Sequence, residues 1–85
     1  MIKLFWDNSF KRKYKKLIKK NSKYKKLFWY TIDIFSNNPF DPQLETHKLS
    51  GKLKDYWAFK VDYDCRIIFA FLENKKEVIL IDIGS

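Results

Sequence analysis

His47 is the only histidine in the 85-residue chain, and histidine is the side chain whose ordinary pKa lies nearest neutrality. It can take or give a proton at physiological pH, although a lone histidine in a polar stretch is also an ordinary solvated residue. Arg66 carries a planar fork of donors that matches a phosphate group; equally, it can be a strand cation paired with Asp62 or Asp64. Lys60 falls on the same sheet face as Arg66 if the strands around them alternate regularly. Lys52 and Lys54 follow His47 closely and suit contacts to a nucleic-acid backbone, or are plain surface charges. Tyr56 shares the face of Lys60 and offers a ring on which a base can stack, whereas Trp57 belongs to the core. Together these residue types suit proton transfer beside a bound phosphate.

The charge points the same way. Lys and Arg number 18 against 10 Asp and Glu, a formal net charge of +8. On so short a chain that excess implies a polyanionic partner, with nucleic acid or an acidic protein foremost. The single Cys65 cannot form an internal disulfide. One Cys and one His also cannot supply the four ligands of a structural zinc site. The N-terminal segment meets Lys3 and Asp7 too soon for a signal-peptide apolar region. No apolar run approaches the roughly 20 residues of a membrane span. A cytoplasmic location is expected.

These side chains need a scaffold, and residues 1–85 suit one domain. Eight Phe, five Tyr and three Trp let a thin core form, since each buried aromatic removes about 150–250 Å² from water. Ile2–Trp6 is a short apolar run that reads as a strand. Asp7-Asn8-Ser9 can cap a helix, and Phe10, Tyr14, Leu17 and Ile18 then form one apolar stripe between lysines. After Asn21-Ser22, the residues Tyr24, Leu27, Phe28, Thr31, Ile34 and Phe35 trace the stripe of a second helix. A short link between them predicts an antiparallel helical hairpin. Pro39 and Pro42 end the second helix. Residues 43–55 form an ordered connection with a short helical turn. From Tyr56 the apolar period changes to two: strands over 56–63, 65–72 and 78–83, with a turn at 73–76. The order β-α-α-β-β-β predicts an α+β fold, an antiparallel sheet with the hairpin on one face.

Alternation assigns the faces. Trp57, Phe59, Val61 and Tyr63, then Ile67, Phe69 and Phe71, then Ile79, Ile81 and Ile83 should face the helices. The second face then carries Lys60 and Arg66 beside a patch of Ile68, Ala70, Leu72, Val78 and Leu80. So apolar a patch needs a cover, either the 39–55 connection or a partner segment such as an amphipathic helix.

The stretch from His47 to Phe69 resembles the signature of the RelE/ParE toxin superfamily, in its RelE/YafQ branch. His47, Leu49 and Gly51 make a His-x-Leu-x-Gly element. A strand with an aromatic and a basic residue follows, and Arg66 opens the next strand. Asn38-Pro39-Phe40-Asp41-Pro42 before it and Val78–Gly84 after it fit as well, so the likeness spans the chain. It implies a RelE-like fold and the toxin of a type II toxin–antitoxin system. The implied activity is a ribosome-dependent endoribonuclease that cuts mRNA without metal or cofactor, the RNA 2′-OH attacking the neighbouring phosphate. By the same resemblance His47 is the acid/base candidate and Arg66 the phosphate holder. Lys60 stands where the family often has Lys or His, and Asp64 where some YafQ-like members are acidic.

The implied partners are a cognate antitoxin, the ribosome and mRNA, with DNA reached only through the antitoxin complex. The Lys-rich run from Lys11 to Lys26 is then a docking surface for ribosomal RNA. A ParE-like toxin that inhibits DNA gyrase is the alternative, and the retention of His47, Lys60 and Arg66 speaks for the nuclease. One departure stands out: family members usually continue with Gly-[Thr/Ser]-His and an aromatic, where this sequence ends at Gly84-Ser85. A truncated, weakened enzyme is expected, since losing a general acid costs about 10²–10⁴-fold.

Overall fold

The computed structural model describes residues 1–84: β1 (Lys3–Trp6), α1 (Asn8–Lys20), α2 (Lys23–Asn37), β2 (His47–Lys48), β3 (Trp57–Asp62), β4 (Cys65–Phe71) and β5 (Glu77–Gly84). Asp7 starts α1, its carboxylate accepting the Ser9 N–H at 3.0 Å. The Ser9 hydroxyl, donating to the same carboxylate at 2.5 Å, and then that backbone bond hold the Asp7 carboxyl below the ordinary aspartate range. Asn21 closes α1 with its backbone N–H and receives the Lys23 N–H on its side chain at 3.2 Å, so one residue serves both helices. Such a tight link leaves the helices antiparallel neighbours. Asn38 ends α2 ahead of Pro39, whose ring forbids another helical turn.

The stripes of both helices meet one face of the sheet. Phe10 from α1, and Tyr24, Phe28, Ile32 and Phe35 from α2, are buried with Phe59, Ile67, Phe69, Val78 and Leu80. Phe35 stacks on Phe59 at 4.4 Å and meets Phe69 edge-on at 5.0 Å. Trp6, Phe10, Tyr14 and Phe28 form a second aromatic knot, with Trp6 edge-on to the other three at 5.0–5.4 Å. Aromatic pairs of this kind add about 0.5–1.5 kcal/mol each beyond area burial, which suits a core this small.

The α+β class, the helical hairpin and the β3-β4-β5 meander agree with expectation. The sheet itself is mixed. Its order is β1-β5-β4-β3-β2, and β1 runs parallel to β5, Lys3 opposite Glu77 through Trp6 opposite Leu80. Because β4 is antiparallel to both β3 and β5, β1, β3 and β5 all run the same way. The connection after α2 is richer than one helical turn. It holds 3₁₀ turns at Pro42–Leu44 and Gly51–Leu53, and between them the two-residue strand β2, paired antiparallel with β3.

Strand faces differ from simple alternation in β5. Ile68 pairs with Asp82 and Phe69 with Leu80, so Ile81 is an extra residue in a bulge. A bulge changes the phase of every residue beyond it. Val78 and Leu80, expected outside, are fully buried, and Ile83 is buried after the bulge, while Ile79 and Ile81 are half-exposed. Tyr63, expected inside, is 96 % exposed, because β3 ends at Asp62 and Tyr63 belongs to the turn. On the second face Ala58 and Ile68 are buried while Leu72 is exposed; the connection itself also packs into the helix side. Its Leu44 enters the core, and Phe40 packs on Trp57 and Phe71, which belong to the helix-facing rows.

Candidate active site on the open sheet face

Register builds the site. Residues paired across neighbouring strands point to the same side of a sheet. One row across the face away from the helices is His47, Ala58, Ile68 and Asp82. The next row is Lys60, Arg66 and Gly84. His47, Lys60 and Arg66 therefore lie on one face, the histidine one row from the two cations. The face assignment of Lys60 and Arg66 agrees with alternation in the sequence.

Lys60 and Arg66 stand directly opposite each other. Like charges so placed repel modestly, and a nearby counter-charge relieves the repulsion. Lys60 finds one in Glu45, its Nζ donating to Oε2 at 2.7 Å. This bond holds the Glu45 carboxyl below the usual glutamate range. Arg66 is exposed, and among the described residues no carboxylate makes a salt bridge to it. A planar fork so placed matches an anion such as phosphate. A shallow recess of about 260 Å³, lined by Lys60, Asp62, Tyr63, Asp64, Cys65 and Arg66, adjoins it.

His47 sits on the edge strand β2, exposed, with Nδ1 3.0 Å from the backbone carbonyl of Glu45. A carbonyl only accepts, so Nδ1 is the donor and Nε2 of the neutral ring is left to accept a proton. Asp64 is held otherwise. It lies in the β3–β4 turn, and its carboxylate accepts the hydroxyl of buried Tyr24 from α2 at 2.9 Å. The same bond, with burial, pushes the Tyr24 hydroxyl up to about 12. Asp64 thus anchors the turn to α2 while still lining the recess beside Arg66. Lys23 reinforces the anchor with a looser contact to Asp62 at 3.9 Å. Cys65, next along, is a buried thiol pushed up to about 11, by burial above all.

Lys52 and Lys54 are exposed in and just after the 3₁₀ turn that Gly51 opens at φ +67. Tyr56 is half-buried, its backbone tied to Leu53 at 2.9 Å and to Leu49 at 3.0 Å, closing the loop beside β2. A belt of charge continues past the strands. A cleft at the end of β5 is lined by Lys13, Lys16, Leu17, Lys20, Ile83 and Gly84. Gly84 is also the partner of Arg66, so lysines of α1 adjoin the row of Lys60 and Arg66. Lys13 is fixed there by Asp82 at 2.6 Å. Two residues were not singled out from sequence, Glu45 and Tyr24. Glu45 precedes His47 closely, the only local signal for it; the Tyr24–Asp64 contact joins residues far apart in the chain and leaves no local trace.

A family model described as "Bacterial toxin of type II toxin-antitoxin system, YafQ" matches residues 2–85. The chain belongs to the YafQ toxin family. Solved structures agree in fold with this YafQ-family toxin. A copper-bound mutant toxin from Helicobacter pylori is 28 % identical, with a TM-score of 0.75 over 100 % of this chain and 94 % of that one. YafQ from E. coli is 21 % identical, with a TM-score of 0.79 over 100 % and 93 % of the two chains. The YoeB–YefM complex from Staphylococcus aureus is 13 % identical over 100 % and 97 %, with a TM-score of 0.78. No match is found among curated proteins. No helix among the described residues is long and apolar enough to cross a membrane.

Proposed function

We propose that this toxin cuts ribosome-bound mRNA on the open sheet face, with His47, Lys60 and Arg66 as the working groups. The observation that carries the reading is the cross-strand pair of Lys60 and Arg66, two cations face to face with His47 one row away. A phosphodiester anion between them turns repulsion into two attractive contacts. Charge gathers on the phosphorane when the RNA 2′-OH attacks, and Arg66 and Lys60 stabilise it there. The bare Nε2 of His47 suits removal of the 2′-OH proton. As the 2′-oxygen bonds to phosphorus, the bond to the 5′-oxygen breaks. That oxygen takes a proton from water, leaving a 2′,3′-cyclic phosphate and a 5′-hydroxyl. Asp64 supports the site as the anchor of its turn. Lys52, Lys54 and Tyr56 contact RNA beside the scissile bond, Tyr56 by stacking. No cofactor takes part. The lysines of α1 and α2 dock the ribosomal RNA.

A cognate antitoxin holds the toxin in check in the cytoplasm, as the Staphylococcus aureus complex pairs YoeB with YefM. Its segment lies on the apolar strip of the open face, where Phe5 stands opposite half-exposed Ile79 and Leu72 is exposed nearby. DNA is reached only through that complex. The test is primer extension on ribosome-stalled mRNA, using this chain and the same chain extended by a His-containing tail. Cleavage by either, abolished by His47→Gln, supports the reading. Uncut mRNA with both forms overturns it, and gyrase inhibition then becomes the activity to assay.

A further inference from the structure

Glu45 touches both ends of the site with different parts of itself. Its carbonyl lies 3.0 Å from His47 Nδ1 and its carboxylate 2.7 Å from Lys60 Nζ. Its backbone is also unusual. Glu45 adopts φ 50 and ψ 40, the left-handed region, and is the one non-glycine residue with positive φ among those described. Backbone of this kind disfavours residues with a Cβ and persists only where its surroundings hold it, often at functional sites. Here the bend turns the chain from the 3₁₀ turn, with Leu44 locked in the core, into β2 and His47.

The ion pair is made to be exchanged. The Glu45 and Lys60 side chains are 65 % and 45 % exposed, so their bond has the modest worth of a surface pair. Lys60 also faces Arg66, which leaves the lysine in need of an anion whether or not RNA is present. We propose that Glu45 is a positioning residue with two roles: its carbonyl fixes the His47 tautomer, and its carboxylate holds Lys60 as a stand-in for RNA phosphate, releasing it when RNA arrives. The identity of the displacing anion rests on the nuclease reading; the two contacts do not.

The experiment needs no cleavage. The tautomer of His47 is read from long-range proton–nitrogen NMR spectra. Binding is read by fluorescence anisotropy with a short RNA whose 2′ positions are methylated, so that it cannot be cut. The expected result is an Nδ1-protonated ring in both the native protein and Glu45→Gln. The variant binds the RNA about two- to fivefold tighter, the range of one exposed ion pair removed from competition. Glu73→Gln, an exposed charge in the β4–β5 turn, controls for net charge and should gain less. Glu45→Asn, a residue type that tolerates the left-handed bend, repeats the test should Glu45→Gln fold poorly. An Nε2-protonated ring in the native protein, or no gain over the Glu73 control, overturns the proposal. Failure of the nuclease reading shows separately, as uncut mRNA with both readouts as expected.

Discussion

Replacing Arg66 by Gln should raise stability and lower activity together, an outcome only a functional cation produces. Arg66 is exposed, makes no salt bridge among the described residues, and stands opposite Lys60. A like-charge pair directly across two strands costs about 0.2–1 kcal/mol. Glu45 already neutralises part of Lys60 at 2.7 Å, so the lower half of that range applies, about 0.2–0.5 kcal/mol. Glutamine keeps much of the aliphatic stem, and little packing is lost. For a domain of this size the gain is a rise of about 1–4 °C in Tm. Urea denaturation should show a higher midpoint with an unchanged slope. In about 1 M salt, where the screening length is near 3 Å, the gain should vanish. Cleavage of ribosome-bound mRNA should meanwhile fall by about 10²–10³-fold, the usual loss when one donor to developing charge is removed. A lower urea midpoint would refute this reasoning and make Arg66 a structural strand cation. Unchanged cleavage would remove it from the site.

Phe35→Ala should cost about 3–5 kcal/mol in urea denaturation, because Phe35 is fully buried against Phe59 and Phe69. Tyr24 should make the fold alkali-sensitive. Its folded pKa, about 12, lies above the ordinary value of 10.0, so its contribution is complete below pH 10 and is lost as pH rises toward 12; Tyr24→Phe should flatten the stability curve in that window. Cys65, raised from 9.0 to about 11, should react with a thiol reagent at pH 8 about a hundredfold more slowly than the same thiol in urea. Gly84→Ala should leave the fold intact, since an added Cβ meets nothing within 4 Å. It should weaken RNA binding if phosphate approaches the backbone beside Arg66, and equal binding would exclude that approach.

The helices were legible because their signals are local. Asp7, Asn21 and Pro39 mark boundaries by their own chemistry, and the stripe from Phe10 to Phe35 needs only a period. The strands were legible as strands for the same reason, but their faces were not all so. Period two carries a face assignment only while the ladder is regular, and Ile81 breaks it. Val78–Ile81 is uniformly apolar, and Asp82 beyond it keeps the face that alternation expects of it, so nothing in Val78–Ile83 announces the extra residue. The parallel pairing of β1 with β5 is likewise a property of two segments at opposite ends of the chain.

The site divides along the same line. Lys60 and Arg66 lie in a tight hairpin with β3 and β4 paired antiparallel, so alternation alone places them on one face. The irregularity in β3 falls beyond Lys60, between it and Asp62, and leaves that inference intact. His47 was out of reach of any such rule, because β2 is two residues long and exists only through its pairing with β3. What brings it to the cations is the bend at Glu45, where glutamate occupies backbone space better suited to glycine or asparagine. Its side chain then answers the repulsion that Lys60 and Arg66 create. The strained turn and the like-charge pair are each unfavourable by themselves. In one place they relieve each other on one side and, among the described residues, leave Arg66 without a salt bridge on the other, as the proposed anion-binding face requires.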